Sequence, residues 1–406
     1  MTRLLIRDLV QLATPAGAHA PFRRGELGDV EVIENAFLVA RDGWIEAVGA
    51  MRDLPALAGD VQDFDGRGLC AVPGLVDCHT HPAFVGDRAH EFALRAAGAS
   101  YGELLAAGGG ILSTMRATRA AGGAALVEAV VRHRDAMLAH GTTTFEGKSG
   151  YGLDHDTELA QLEAVRAAGG VPTWLGAHAV APEHTGADEY VDWLIEDVLP
   201  DAARIATAAD VFVEQETFGV DQARRYLVAC RAAGLDLRIH GDQLTEMGAV
   251  PLAVELGARS IDHLEATGRA GVAQLASSDV VAVLLPVAAL YLARPMPPAR
   301  ALADGGAAIA LATDFNPGSA YCESLPVVCT LACTQLGLTP EEALVACTVN
   351  AAYVLGLDRN RGRLAAGHRA DVVLLDAPDW RHLAYHLAGN VVHTVVQEGR
   401  IAFLRA

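Results

Sequence analysis

The chain has 406 residues, long enough for two or three domains or for one large α/β barrel with an attachment; 51% hydrophobic content with 41 glycines excludes a disordered chain. A formal net charge of −19 repels phosphate backbones and anionic lipid, which disfavours nucleic-acid and membrane roles. Seven scattered cysteines without a CxxC pair, an N-terminal stretch without a long apolar core and the lack of any run near 18 apolar residues predict a soluble, cytoplasmic protein.

Residues 1–69 carry strand and turn signals. Asn35 to Arg41, then Asp42-Gly43, then Trp44 to Val48 is a hairpin pattern. From about residue 70 to 358, eight strand-like runs alternate with Ala-rich helical stretches: Leu75 to His79, Thr142 to Glu146, Thr173 to Ala177, Val211 to Glu214, Leu237 to His240, Ser260 to His263, Val280 to Leu285 and Ile309 to Thr313. Helices are expected over Leu159 to Ala168, Ala223 to Ala233 and Pro340 to Ala352, the last opened by Thr339-Pro340-Glu341-Glu342, which reads as an N-cap, a first-turn proline and a capping box. Eight βα repeats predict a closed parallel (β/α)8 TIM barrel. Residues 359–406 repeat the strand theme, with Ala370 to Asp376, Val391 to Gln397, a Glu398-Gly399 turn and Arg400 to Leu404. Neither end has enough strands to bury a core alone, so segments 1–69 and 359–406 are expected to pair into one small composite β-sandwich beside the 70–358 barrel.

The polar residues gather where chemistry gathers in such barrels, at the C-terminal edge of the strands. Ala71 to Val76 reads as a buried apolar strand entering a site, and it leads into Asp77-Cys78-His79-Thr80-His81. Side chains two apart on a strand lie on one face about 6.6 Å apart, so two imidazoles can close on one ion. Strand three ends in His178, strand five in His240, strand six in His263 and strand eight in Asp314. Taken singly, a histidine on an apolar strand is most often a packed core residue; several imidazoles and a carboxylate converging from separate strands are the donors zinc or iron(II) prefers. His178 and His263 are the weaker members of that set.

One compositional fact stands apart: of 31 basic residues, the sole lysine is Lys148. It lies in Glu146-Gly147-Lys148-Ser149-Gly150-Tyr151-Gly152, read as a Gly-rich loop after the run Thr142 to Phe145, and suggests a place where a compact ammonium is needed and a guanidinium does not fit. The loop lacks GxxxxGK[ST] spacing, so nucleotide binding is rejected. Cys329 and Cys333 read as core; His133, His140, His382, His386 and His393 read as surface or packing residues.

The segments DCHTHPAFVGDRAHEFALR, GGGILSTMRATRAA, EGKSGYGLD, GAHAVAPEH, HGDQLTEMGAV, DHLE, LATDFNPGS and NAAYVLGL resemble, in order, the amidohydrolase superfamily, and within it the branch that opens 4-imidazolone-5-propanoate to N-formimidoyl-glutamate in histidine degradation. The resemblance implies a distorted barrel joined to a composite β-sandwich, one zinc or iron ion, a small anionic substrate and a homodimer. It implies His79, His81, His240 and Asp314 as metal ligands; Arg88, Tyr151, His178, Gln243 and Ser319 as substrate contacts; and Asn316 and Gly318 as product contacts. The residues fit that chemistry: Arg88 offers a bidentate fork for a propionate, and Asp314, His263 and Gln243 are the candidates for moving or holding the proton during hydrolysis. The two-metal members carry a carboxylated lysine on strand four, where this chain has Val213-Glu214-Gln215-Glu216, so a single ion is expected, with Glu216 the only candidate to bridge a second. Pro82, Gly147 and Ala181 depart from the family pattern, which bears on loop geometry and substrate fit. The nearer alternative is another mononuclear amidohydrolase, such as a deaminase of a heterocyclic base; the farther is a non-enzymatic scaffold on the same barrel.

Overall fold

A computed structural model describes residues 3–98 and 109–405. The eight expected barrel strands are present, each parallel to the next in chain order: Leu75–Asp77, Thr142–Lys148, Val171–Ala177, Ala208–Val213, Asp236–Gly241, Ser260–His263, Val281–Leu284 and Ile309–Leu311. Their apolar side chains are almost wholly buried, as a parallel sheet clad in helices requires. The circle closes just past the ends of the first and eighth strands. There Thr80 bridges Phe315, the His81 N–H donates to Phe315 O at 2.8 Å and the Asp314 N–H to His79 O at 3.1 Å. Asp77 reinforces the seam by accepting from Thr313 N (3.1 Å) and Thr313 Oγ1 (2.6 Å). Closure at this edge ties the segment bearing His79 and His81 to the one bearing Asp314.

Both chain ends contribute to a second, mixed sheet of eight strands. Arg3–Pro15 pairs antiparallel with Val30–Arg41, which turns at Asp42-Gly43 into Trp44–Ala50. Both turn residues have positive φ (52° and 86°), as a type I′ hairpin requires, and Glu398-Gly399 (49° and 74°) does the same between Val392–Gln397 and Arg400–Leu404. Leu69–Pro73 joins the two halves, running antiparallel to Val372–Asp376 and parallel to Gln11 and Leu12. The run read as one strand from Ala71 to Val76 is therefore two, one in each sheet. Gly74 marks the crossing, because a Cβ there would collide with Thr143 Oγ1 and lie 2.9 Å from Asp371 Cβ. Alternation splits this sheet between two cores: Val373 and Leu375 join the barrel's core, while Leu374 packs with Leu4, Ile6 and Leu38 on the other face.

The helices His155–Ala167 and Val220–Ala232 match expectation within a turn. The capping box at Thr339 forms, but the helix expected to reach Ala352 runs as Pro340–Ala346 and Val349–Val354, since Thr348 (φ −127°, ψ −93°) leaves the helical region. Cys329 is buried 3.6 Å from Cys347, all seven cysteines are free, and His133 packs against Phe84 and Phe315, in keeping with packing roles. No helix among the described residues is long and apolar enough to cross a membrane.

Candidate metal centre

The backbone turns sharply where the barrel strands end. Asp242, His263, Leu264 and Asp314 all have positive φ (53°, 85°, 74° and 55°), a region that His and Leu enter only at a cost of about 1–3 kcal/mol. The strain at His263 and Leu264 is held by hydrogen bonds from Leu264 N to Gly241 O (3.2 Å) and Ala266 N to Asp242 O (2.7 Å). The regular first strand stops at Asp77, short of the expected His79; His79 and His81 follow on the extended segment that forms the seam, still on one face.

Those turns bring the expected donors together. His81 Nε2 lies 3.3 Å from His79 Nε2 and 3.4 Å from His240 Nε2, and Asp314 Oδ1 lies 3.4 Å from both His79 Nε2 and His81 Nε2. Donor atoms about 2.0–2.1 Å from a tetrahedral ion stand roughly 3.3–3.4 Å apart, so these four of the six donor pairs have the spacing of ligands to one ion, and His79, His81 and Asp314 form one of the donor clusters among the described residues. Burial pushes His240 down to about 3 and His81 well below the ordinary imidazole value, so both rings are neutral, the form that ligates. Burial drives Asp314 upward, but hydrogen bonds with His79 and His81 outweigh it and hold the carboxyl well below its usual range. Its second oxygen, Oδ2, is buried without a hydrogen-bond partner among the described residues. His263 also presents a nitrogen within 4.8 Å of donor atoms on His79 and His240.

Behind the donors lies a charged layer that sequence reasoning missed. His79 Nδ1 meets Asp262 Oδ2 at 2.6 Å, and His240 Nδ1 lies 3.0 Å from Asp210 Oδ2. Lys148 belongs to the barrel rather than to a loop: strand two runs on to it, and its wholly buried ammonium reaches Asp210 Oδ2 (2.7 Å) and Glu146 Oε2 (2.9 Å). Buried Arg238 pairs with Glu146 from the next position below His240 on the same face. The signal was present in the sequence as charges set into the barrel strands, where each buried one needs a partner.

In front of the donors opens a cavity of about 590 Å³ lined by Arg88, Tyr151, His178, Gln243, Asn316, Gly318 and Ser319, with His240, His263 and Asp314 at its floor. Every residue expected to contact substrate or product thus faces one space. His178 Nδ1 donates to Gly150 O at 3.0 Å, and burial pushes the ring down to about 4, so its Nε2 lone pair is free at neutral pH. Asn316 is spent on its own turn, donating to Asp314 O (2.7 Å) and accepting from Gly318 N (2.8 Å) and Ser319 N (2.7 Å). Glu216 is exposed at the cavity wall and joins none of the donor clusters found among the described residues, while Glu214 accepts from Leu244 N (3.0 Å) and Thr245 N (3.1 Å), fixing the loop that carries Gln243.

Arg88 is oriented by Glu91, whose Oε2 accepts from Nε (2.9 Å) and Nη2 (2.7 Å) and whose Oε1 accepts from Gly110 N and Ser113 Oγ, both at 3.1 Å. The pairing with Glu91 and a place in the cavity wall coexist. A Cβ at Gly318 would collide with Arg88 Nη1, so this glycine leaves room for the guanidinium. Gly318→Ala is expected to push Arg88 aside and raise KM about tenfold with kcat nearly unchanged, read by steady-state kinetics. Glu158, also missed, is buried and accepts from Gly150 N (3.1 Å), Gly152 N (3.0 Å) and Leu153 N (2.8 Å), the acceptor that a glycine-rich turn full of bare N–H groups demands. Among the departures, Gly147 fits because a Cβ would lie 2.5 Å from Val165 Cγ2, and Pro82 and Ala181 are simply buried.

The amidohydrolase family model matches residues 70–402, the barrel together with most of the C-terminal strands. A curated imidazolonepropionase from Rubrobacter xylanophilus is 58% identical, with 98% of each chain covered. Others so named are 47% identical in Deinococcus radiodurans, over 98% of this chain and 99% of the relative, and 44% in Herpetosiphon aurantiacus, over 98% and 96%. Among solved structures, an adenosine deaminase from Xanthomonas campestris with bound zinc shares the fold (TM-score 0.72, 19% identity, 99% of this chain and 93% of that one). The Escherichia coli guanine deaminase does so too (TM-score 0.70, 16% identity, 99% and 100%). With the donors, the seam that gathers them and likeness over nearly its whole length all agreeing, the chain belongs to the amidohydrolase family, and within it to the imidazolonepropionases.

Proposed function

We propose that this chain hydrolyses the ring C–N bond of 4-imidazolone-5-propanoate to give N-formimidoyl-L-glutamate, using one zinc or iron ion held by His79, His81, His240 and Asp314. The observation that carries the reading is the set of four donors, with His81 and Asp314 at 3.3–3.4 Å from their neighbours in it and with His240 and Asp314 on the floor of a cavity whose wall includes Arg88. When bound, such an ion supplies Lewis acidity that polarises a carbonyl and makes water acidic near neutral pH.

The chain's own residues do the rest. Arg88 receives the propionate through the N–H groups Glu91 leaves free, which fixes the ring's direction over the floor. His178 and Tyr151 hold the ring from the side. Asp314 Oδ2, buried and unpartnered, takes the proton of the attacking water. The water oxygen bonds to the ring carbonyl carbon, the C–N bond breaks toward nitrogen, and the proton carried by Asp314 passes to that nitrogen. His263 and Gln243 hydrogen-bond the water and the developing oxyanion. Asn316 shapes the turn, through which Gly318 and Ser319 meet the product. A cytoplasmic homodimer completes the proposal, and gel filtration reads the dimer.

The direct test follows the ultraviolet loss of freshly made imidazolone propionate with and without chelator. Chelator-sensitive loss supports the reading; no loss by metal-loaded protein defeats it. Arg88→Ala is expected to lower kcat/KM about 10- to 100-fold through KM, the factor carried by a charged hydrogen bond worth about 1.5–3 kcal/mol. A deaminase acting on a neutral base would be indifferent to that change.

A further inference from the structure

We propose that Lys148 is a positioning residue for the metal centre: its ammonium clamps the carboxylates behind two ligand imidazoles into one frame. The inference rests on the ligand set proposed above. Lys148 Nζ lies 2.7 Å from Asp210 Oδ2 and 3.7 Å from Asp262 Oδ2, and these same oxygens face His240 Nδ1 (3.0 Å) and His79 Nδ1 (2.6 Å). One cation therefore stands behind two carboxylate–histidine pairs, which come from strands four and five and from strand six and the closing seam. Partners of this kind fix the tautomer and direction of a ligating ring. The lysine's main chain is tied to the same place: its N–H donates to Thr80 O at 2.9 Å, the residue between His79 and His81, and Thr80 Oγ1 donates to Glu146 O.

The charges explain why the residue is lysine. Glu146, Asp210 and Asp262 bring three carboxyl groups into the buried barrel interior, and Lys148 and Arg238 bring two basic groups to meet them. Three carboxylates converge on a single nitrogen, which suits a compact ammonium with three N–H donors and not a planar fork. That accounts for a lysine at this position in a chain whose other basic residues, counted without histidine, are all arginines. It also bears on the alternative donor cluster of Asp210, His240 and Asp262, since the ammonium already stands against both carboxylates.

The test uses zinc- and cobalt(II)-loaded protein. Lys148→Gln, Asp210→Asn and the double variant are compared for zinc release to a chromogenic chelator and for the cobalt visible spectrum. Lys148→Gln is expected to release zinc about 10- to 100-fold faster, the range for outer partners of a metal site, and to alter the cobalt bands. The double variant is expected to release it no faster than the worse single. A folded Lys148→Gln with wild-type release and spectrum, or effects that multiply in the double variant, overturns the proposal. Should Lys148→Gln fail to fold, the wild type still answers, because one lysine gives one signal in a spectrum of lysine labelled at the ε-carbon. That signal is expected to shift on metal loading, and an identical signal in metal-free and loaded protein overturns the clamp. Wild type that binds no metal defeats the ligand set itself, whereas wild type that binds it and variants that match it defeat only the role of Lys148.

Discussion

Asp314→Asn is expected to reduce kcat by at least about 10³-fold while the protein stays folded, within the 10²–10⁴ range of a positioned acid–base group plus the loss of a ligand's charge. Asparagine is the informative replacement. Asp314 sits at φ 55°, a conformation that Asn adopts almost as readily as Asp, so the turn survives and the effect reports on the carboxylate. Alanine would confound it with backbone strain. The amide keeps one acceptor oxygen toward His79 and His81 but puts a nitrogen where Oδ2, buried and unpartnered, is free to take a proton. Single-turnover kinetics on variant protein with measured metal content separates the two contributions: a metal-replete variant that remains slow assigns the proton to Asp314, and one with wild-type kcat removes it from the mechanism.

His240→Ala is expected to abolish activity and metal retention together. Its Nε2 lies 3.4 Å from His81 Nε2, within the proposed ligand set, and Asp210 stands behind its Nδ1 at 3.0 Å. Loss of an outer partner alone weakens metal binding roughly 10- to 100-fold, and loss of a ligand is expected to exceed that, leaving the isolated variant largely metal-free by elemental analysis. A full equivalent of metal in an inactive variant would remove His240 from the ligand set. Metal loss also lowers the melting temperature, since an ion that binds only the folded state stabilises it by mass action. Chelator treatment of wild type is therefore expected to lower its melting temperature, with little further change in His240→Ala.

The barrel was legible because its strands are short apolar runs punctuated by glycine and ended by polar residues, as a parallel sheet clad in helices buries both faces of each strand. The candidate donors stood out in the same way: His79, His81, His240 and Asp314 lie where such runs stop. Boundaries were less legible. Gly74 divides what reads as one strand, and only the approach of Thr143 and Asp371, distant in sequence, shows why. Lys148 read as part of a loop because Gly147 interrupts a β-branched run, yet the strand continues past that glycine, where Val165 fills the space of a side chain. Asp210, Asp262 and Arg238 escaped notice because each lies inside a strand rather than at its end, and Glu146 because it reads as the start of a glycine-rich loop; the meaning of all four depends on which neighbours share the barrel interior. Glu91 and Glu158 stand in the first turns of helices and accept from residues three to eight positions before them, a short-range link that helical patterning does not reveal.

A single ion shared by His79, His81, His240 and Asp314 at the mouth of the barrel would be visible by anomalous diffraction at the metal edge from zinc-loaded crystals. One peak is expected about 2.0–2.2 Å from the Nε2 atoms of the three histidines and from Oδ1 of Asp314. A peak among Asp210, His240 and Asp262, or one out of reach of Asp314, would contradict it.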